Sequence, residues 1–165
     1  MLHDLDKYPN TVLEQARQFA DDNLPGESGF YAGEFFNEDQ LRRLQSQVRA
    51  MPVTLVEIES IREAPPDETS NFSRSSDLKG SRDRITVNAY VGVCNLRDEA
   101  EQFRTSSQLA NDLRSKIVGT EVEATNQHSN GHWKFESIEK EFSIHGLSVH
   151  TVILYVDLFY DLQSS

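Results

Sequence analysis

The chain has one cysteine, Cys94. A lone thiol excludes an internal disulfide and fits a reducing compartment. Long apolar runs are also missing: no stretch approaches the ~18 residues a membrane helix needs, and the amino terminus MLHDLDKYPN has no basic-then-apolar signal. The expectation is a soluble protein made in the cytoplasm, with no membrane partner. Basic residues are scarce, 16 Lys and Arg against 27 Asp and Glu, for a net charge of -11. Such a surface opposes binding to nucleic acid through phosphates, which requires clustered cations to displace counterions. Hydrophobic residues make up 37% of the chain, below the usual ~45 to 50%. Either the loops are long or the fold is small for its length. There is no Gly-rich phosphate loop, no GxSxG elbow and no dinucleotide fingerprint.

What is present begins with residues 83–119. Ile85, Val87, Ala89, Val91 and Val93 alternate with Thr86, Asn88, Tyr90 and Gly92, the period of a strand that buries one face more than the other. Ala100, Phe103, Ser107, Ala110, Leu113 and Ile117 then recur at helical steps, on one face of a helix of about five turns. Asn95 or Asp98 can cap its start, Arg114 and Lys116 suit its carboxyl end, and Gly119 stops it. If this stripe packs on Ile85, Val87 and Val91, the unit is a sheet with a helix on one side.

At 165 residues the chain fits one domain, 1–165. Thr11 and Glu14 have the spacing of a capping box opening a helix over about residues 11–23, ended by Leu24, Pro25 and Gly26. The aromatic stretch GESGFYAGEFF follows, as a short strand or a covering loop. Asn37 and Gln40 form a second capping box, which predicts a second helix from Glu38 to before Pro52. VTLVEIESI, residues 53–61, reads as a strand. Residues 64–81, APPDETSNFSRSSDLKGS, form a long polar loop. Loops beyond ~12 to 15 residues are functional or disordered as a rule, so this is an idle surface loop or an arm that orders on a partner. For the second case the candidate contacts are Asn71, Phe72, Arg74, Asp77 and Lys79.

Residues 126–132 read as a turn-rich connection. Trp133, Phe135, Ile138, Phe142 and Ile144 mark a strand with a bulge between Phe135 and Ile138, and His145-Gly146 is a two-residue turn. The last strand, 147–161, is apolar on both faces from Val152 to Tyr160. It is central in the sheet, or its second face meets another subunit; Tyr90, Val152, Leu154 and Val156 are the candidate interface or second buried face. The fold class expected is α+β: a mixed, mainly antiparallel sheet of about four strands, a long helix on one face and two amino-terminal helices.

The search for chemistry is brief. His128 and His132 are four apart, but Asn130-Gly131 between them argues for a turn, and no HExxH or CxxC accompanies them. His145 and His150 read as solvated, and Cys94 as a small residue at a strand end. Glu136, Glu139 and Glu141 read as the wet face of a strand. No catalytic, cofactor-binding or metal residues are expected, and no enzyme.

The order of elements resembles the tail-terminator proteins of Mu-like and related contractile-tailed phages and prophages, over most of the chain. The residues that carry it are GEFF at 33–36, RITVNAYVGVCNLRDEA at 84–100, LANDLRSKIVG at 109–119 and GLSVHTVILYVDLFYDL at 146–162. The resemblance implies a small protein that forms a homo-hexameric ring in the virion tail. Such a ring ends tube polymerisation, contacts tail tube and neck proteins, and lets DNA pass without specific binding. The alternatives are another neck or head-completion protein and, from a different class, a small hydrolase using Cys94 or a metal held by the histidines.

Overall fold

In the structure, a computed structural model, residues 9–31, 52–64, 80–93, 99–122, 127–129, 131–144 and 147–161 are described. Helix α1, Asn10–Asn23, buries Val12, Ala16 and Ala20. The expected capping box does not form. Pro9 occupies the N-cap and its carbonyl accepts from the amides of Val12 and Leu13 at 3.1 and 3.3 Å. Thr11 is thereby drawn inside the first turn, where its hydroxyl is buried without a hydrogen-bond partner among the described residues. Glu14 turns to Arg17 at 2.6 Å, which holds its carboxyl below the usual range.

Leu24 is extended and ends α1. Gly26 follows with φ +91°, where a Cβ would stand 1.9 Å from the Pro52 carbonyl oxygen, so only glycine allows the turn into strand β1, Glu27–Phe30. The aromatic stretch therefore opens as a strand. β1 runs parallel to β2, Val53–Glu63. The second expected helix, from Glu38 to before Pro52, lies outside the described residues.

Strand β3, Gly80–Val93, pairs antiparallel with β2. It starts five residues before the first alternating residue, Ile85, so residues 80 and 81 are not loop: they pair with Asp161 and Tyr160. The cause is the length of the last strand, whose backbone groups extend the ladder beyond the apolar pattern. Ala64, placed at the start of the same loop, is buried.

Helix α2, Glu99–Ile117, crosses the sheet. Its buried face is Gln102, Ser106, Leu109, Ala110, Leu113 and Ile117, whereas Ala100 is exposed and Phe103 is 37% exposed. The amino-terminal half of the expected stripe is thus displaced by one position. Two polar residues go inside because partners await them there. The candidate caps Asn95 and Asp98, and Cys94, lie outside the described residues. Gly119, at φ +90°, ends the helix, and its amide donates to the Trp133 carbonyl at 2.8 Å.

The connection read as turns holds three short strands: β4, Glu121–Val122; β5, Gln127–Ser129; and β6, Gly131–His132. Strands β7, Lys134–Ile144, and β8, Leu147–Asp161, follow. β7 shifts register between Phe135 and Ser137, where the bulge was expected, and again between Lys140 and Phe142. The residues of the expected two-residue turn, His145 and Gly146, lie outside the described set. Among the described residues the main sheet has six strands in the order β1-β2-β3-β8, with β7 and β5 both on the far edge of β8; β4 and β6 form a separate pair. The class is α+β with a mixed, mainly antiparallel sheet. The four strands expected are β2, β3, β7 and β8, all long; β1 and β5 complete the sheet.

The inner face carries Ile85, Val87, Ala89, Val91 and Val93 from β3 and Val152, Leu154, Val156 and Leu158 from β8, in one cluster with Leu109, Ala110, Leu113 and Ile117 of α2 and Val12, Ala16 and Ala20 of α1. The long helix lies on the sheet face expected of it.

Candidate functional site

Two polar constellations stand out, one on each side of the sheet. Beneath the first two turns of α2, Gln102, Ser106, Ser148 and His150 are all buried. The Gln102 side-chain amide donates to Ser148 Oγ at 2.9 Å. Ser106 Oγ donates to the Val91 carbonyl at 3.0 Å and lies 2.9 Å from His150 Nδ1. A hydroxyl has one proton to give. Since Ser106 gives its proton to the backbone, it accepts from His150, which fixes the Nδ1–H tautomer.

That assignment decides the chemistry of the pair. An activated serine donates to an imidazole that accepts its proton; here the bond runs the other way. Ser106 is 0% and His150 4% exposed, so the pair is closed to solvent. Phe103 meets the imidazole edge-on at 4.8 Å between ring centres. Lys140, opposite His150 on β7, lies over the Phe103 ring. Burial, with Lys140 adding repulsion, holds the His150 pKa below its ordinary value. The structure corrects the reading of His150 as solvated: its β8 position faces α2, and Ser106 is there to receive its proton. His132 is exposed on β6, while the backbone of His128 belongs to β5 in the other sheet, so the two share no helical face. The side chains of His128 and His145 lie outside the described set. Among the described residues no three His, Cys, Asp or Glu come together as metal ligands.

The outer face is built differently. Its positions on β3 and β8 pair as Arg84 with Asp157, Thr86 with Tyr155, Asn88 with Ile153 and Tyr90 with Thr151. Arg84 grips Asp157 through two bonds, Nε to Oδ1 at 2.8 Å and Nη2 to Oδ2 at 3.0 Å, and stacks over the Tyr155 ring at 4.3 Å. The bidentate bond raises the guanidinium pKa. Toward β1, the Tyr90 hydroxyl donates to Glu57 Oε1 in a short bond, and the Asn88 amide donates to the same oxygen at 3.4 Å. Tyr31 tilts over Tyr90 with ring centres 4.5 Å apart. Burial, then the Glu57 bond, pushes the Tyr90 phenol well above its ordinary pKa. It remains a donor throughout the physiological range.

The candidate interface residues divide between these faces. Tyr90 is half-buried on the outer face, while Val152, Leu154 and Val156 are no more than 1% exposed in the inner core. Those three meet the chain's own helices, so they are not a subunit interface: their face is already filled by Leu109, Leu113 and Ile117. The candidate arm residues Asn71, Phe72, Arg74, Asp77 and Lys79 lie outside the described residues. Glu136 and Glu139 are exposed, as a wet face should be; the Glu141 side chain is outside the described set. Reading the chain alone missed the cluster of Gln102, Ser106 and His150, although their own spacing held the signal: 102, 106, 109, 113 and 117 is as good a helical stripe as the apolar one.

Compared with known proteins, the chain matches no family profile and no curated sequence.

Proposed function

We propose that the chain is a structural virion protein, a tail terminator whose ring ends tube polymerisation and offers a surface for head and neck attachment. The observation that supports it most is the order of elements. A helix, a long strand pair, a long helix closed by Gly119 and a final long hairpin follow the sequence on which the resemblance rests. In this reading the second amino-terminal helix belongs to the fold, the ring is a homo-hexamer made in the host cytoplasm, and DNA crosses its channel without specific contacts. The Ser106–His150 pair supports a non-enzymatic reading, because its proton arrangement is that of a core hydrogen bond.

The outer face supports a contact with another chain. It is polar and aromatic, held by Arg84, Asp157, Glu57 and the tyrosines, and suits an interface that forms after each subunit has folded. Another neck or head-completion protein is the alternative within the same class. Polymerising the cognate tube protein with and without this chain, and measuring tube lengths by electron microscopy, tests the proposal. A terminator leaves tubes of unchanged diameter whose growth has stopped, with added density at one end. Tubes of unaltered length and bare ends contradict it.

A further inference from the structure

Glu57 is a half-buried carboxylate without a cation among the described residues. The described ion pairs are Glu14–Arg17, Arg84–Asp157 and Glu101–Arg104, and none involves it. Both hydrogen bonds to Glu57 end on Oε1, so among the described residues Oε2 is left unengaged. Beside it, Asn88 is 9% exposed and its Oδ1 has no hydrogen-bond partner among the described residues. Its orientation follows from Glu57: a carboxylate only accepts, so the amide turns its NH2 that way and leaves the oxygen over. A buried acceptor left empty is destabilising, and a donor brought to it relieves that cost. The rings of Tyr31 and Tyr90 wall the same spot.

We propose that Tyr31, Glu57, Asn88 and Tyr90 form a receptor for an arginine side chain of a partner protein. The chemistry selects arginine over lysine. A guanidinium is planar, so it lies against a tyrosine ring while its several N–H groups reach two acceptors at once. Here those acceptors are Glu57 Oε2 and, after rotation of the terminal amide, Asn88 Oδ1. Lysine would bring a compact charge without the stacking plane.

The partner is a different, basic chain, for two reasons. The described arginines are engaged at home: Arg17 with Glu14, Arg84 with Asp157, Arg104 with Glu101, Arg62 with Ser60 and Arg114 over Phe135. In addition, a net charge of -11 steers a basic surface toward this acidic pocket. The inference goes beyond the ring proposal and does not depend on it.

The test is a titration of the full chain, with 13C-labelled tyrosine rings observed by NMR, using N-acetyl-arginine methylamide as probe and the lysine and citrulline analogues as comparators. The expected result is a saturable shift of the Tyr31 and Tyr90 signals with the arginine probe. Binding should be about five-fold weaker for lysine, for citrulline, and for arginine with Glu57→Gln. Glu139→Gln removes an exposed carboxylate elsewhere on the same face and should leave the titration unchanged. Three outcomes overturn the proposal: no saturable shift at the two rings, an equal response to citrulline, or equal weakening by Glu57→Gln and Glu139→Gln. The last would mean diffuse attraction to an acidic surface.

Discussion

The two faces of one sheet, built from alternate residues of the same strands, are held by different forces. On the inner face Val87 lies opposite Leu154 and Ile85 opposite Val156, and stability comes from apolar area removed from water. One strand step away, Arg84 lies opposite Asp157 and Asn88 reaches Glu57, and directional bonds hold the residues in place. Packing resists any change of polarity. A hydrogen-bonded face tolerates polar exchange while its partners remain satisfied, and it can form contacts after folding. The difference therefore separates substitutions that unfold the chain from those that alter only what it binds.

The largest effect is expected on the inner face. Leu154→Asp places a carboxylate among apolar side chains at a site 1% exposed between β3 and β7. The chain should fail to fold, with loss of well over 4 kcal/mol, visible as a collapsed circular-dichroism signal. Next comes Gly131→Ala. Its Cβ would stand 2.5 Å from Val156 Cγ2 and 2.7 Å from the Asp157 carbonyl oxygen; forcing these apart should cost about 1 to 3 kcal/mol in urea unfolding. Ser106→Ala strands the buried His150 N–H, for about 1 to 3 kcal/mol.

A smaller effect, read against pH, comes from the same imidazole. His150 titrates below its ordinary value of 6.5 when folded, so the unfolded chain binds its proton first as pH falls. Its contribution is complete above pH 6.5 and is lost as pH drops from there through the folded pKa. The urea midpoint should decline over that window, and His150→Gln should flatten the decline. The smallest effect belongs to the outer face: Arg84→Ala, at a partly buried ion pair, should cost about 1 kcal/mol, while tube capping falls if the outer face is the contact surface.

Much of the inner face was legible because period-two alternation and apolar burial have one solution: Ile85 to Val93 and Val152 to Leu158 had to share a side. The strands that escaped are short. β5 and β6 carry polar residues, Gln127 to His132; β5 forms because it pairs with the long β8, and β6 because it pairs with β4 while Gly131 tucks against Val156. The α2 face was misread at its start because Phe103 outranks Gln102 on any hydrophobic scale. Only the position of Ser148 and His150, some 45 residues away, satisfies Gln102 and Ser106 inside the core. The outer constellation was visible as single residues, Tyr90 among them, but its meaning depends on register: Glu57 meets Asn88 because Val56 pairs with Ala89.

The most direct test of the account is the solution mass of the purified chain, measured by size-exclusion chromatography with light scattering over a wide concentration range. The account predicts a closed assembly of several subunits, six in the tail-terminator reading, whose subunits keep the inner core intact. A strict monomer at the highest concentration, together with no association with tail tubes, would contradict it.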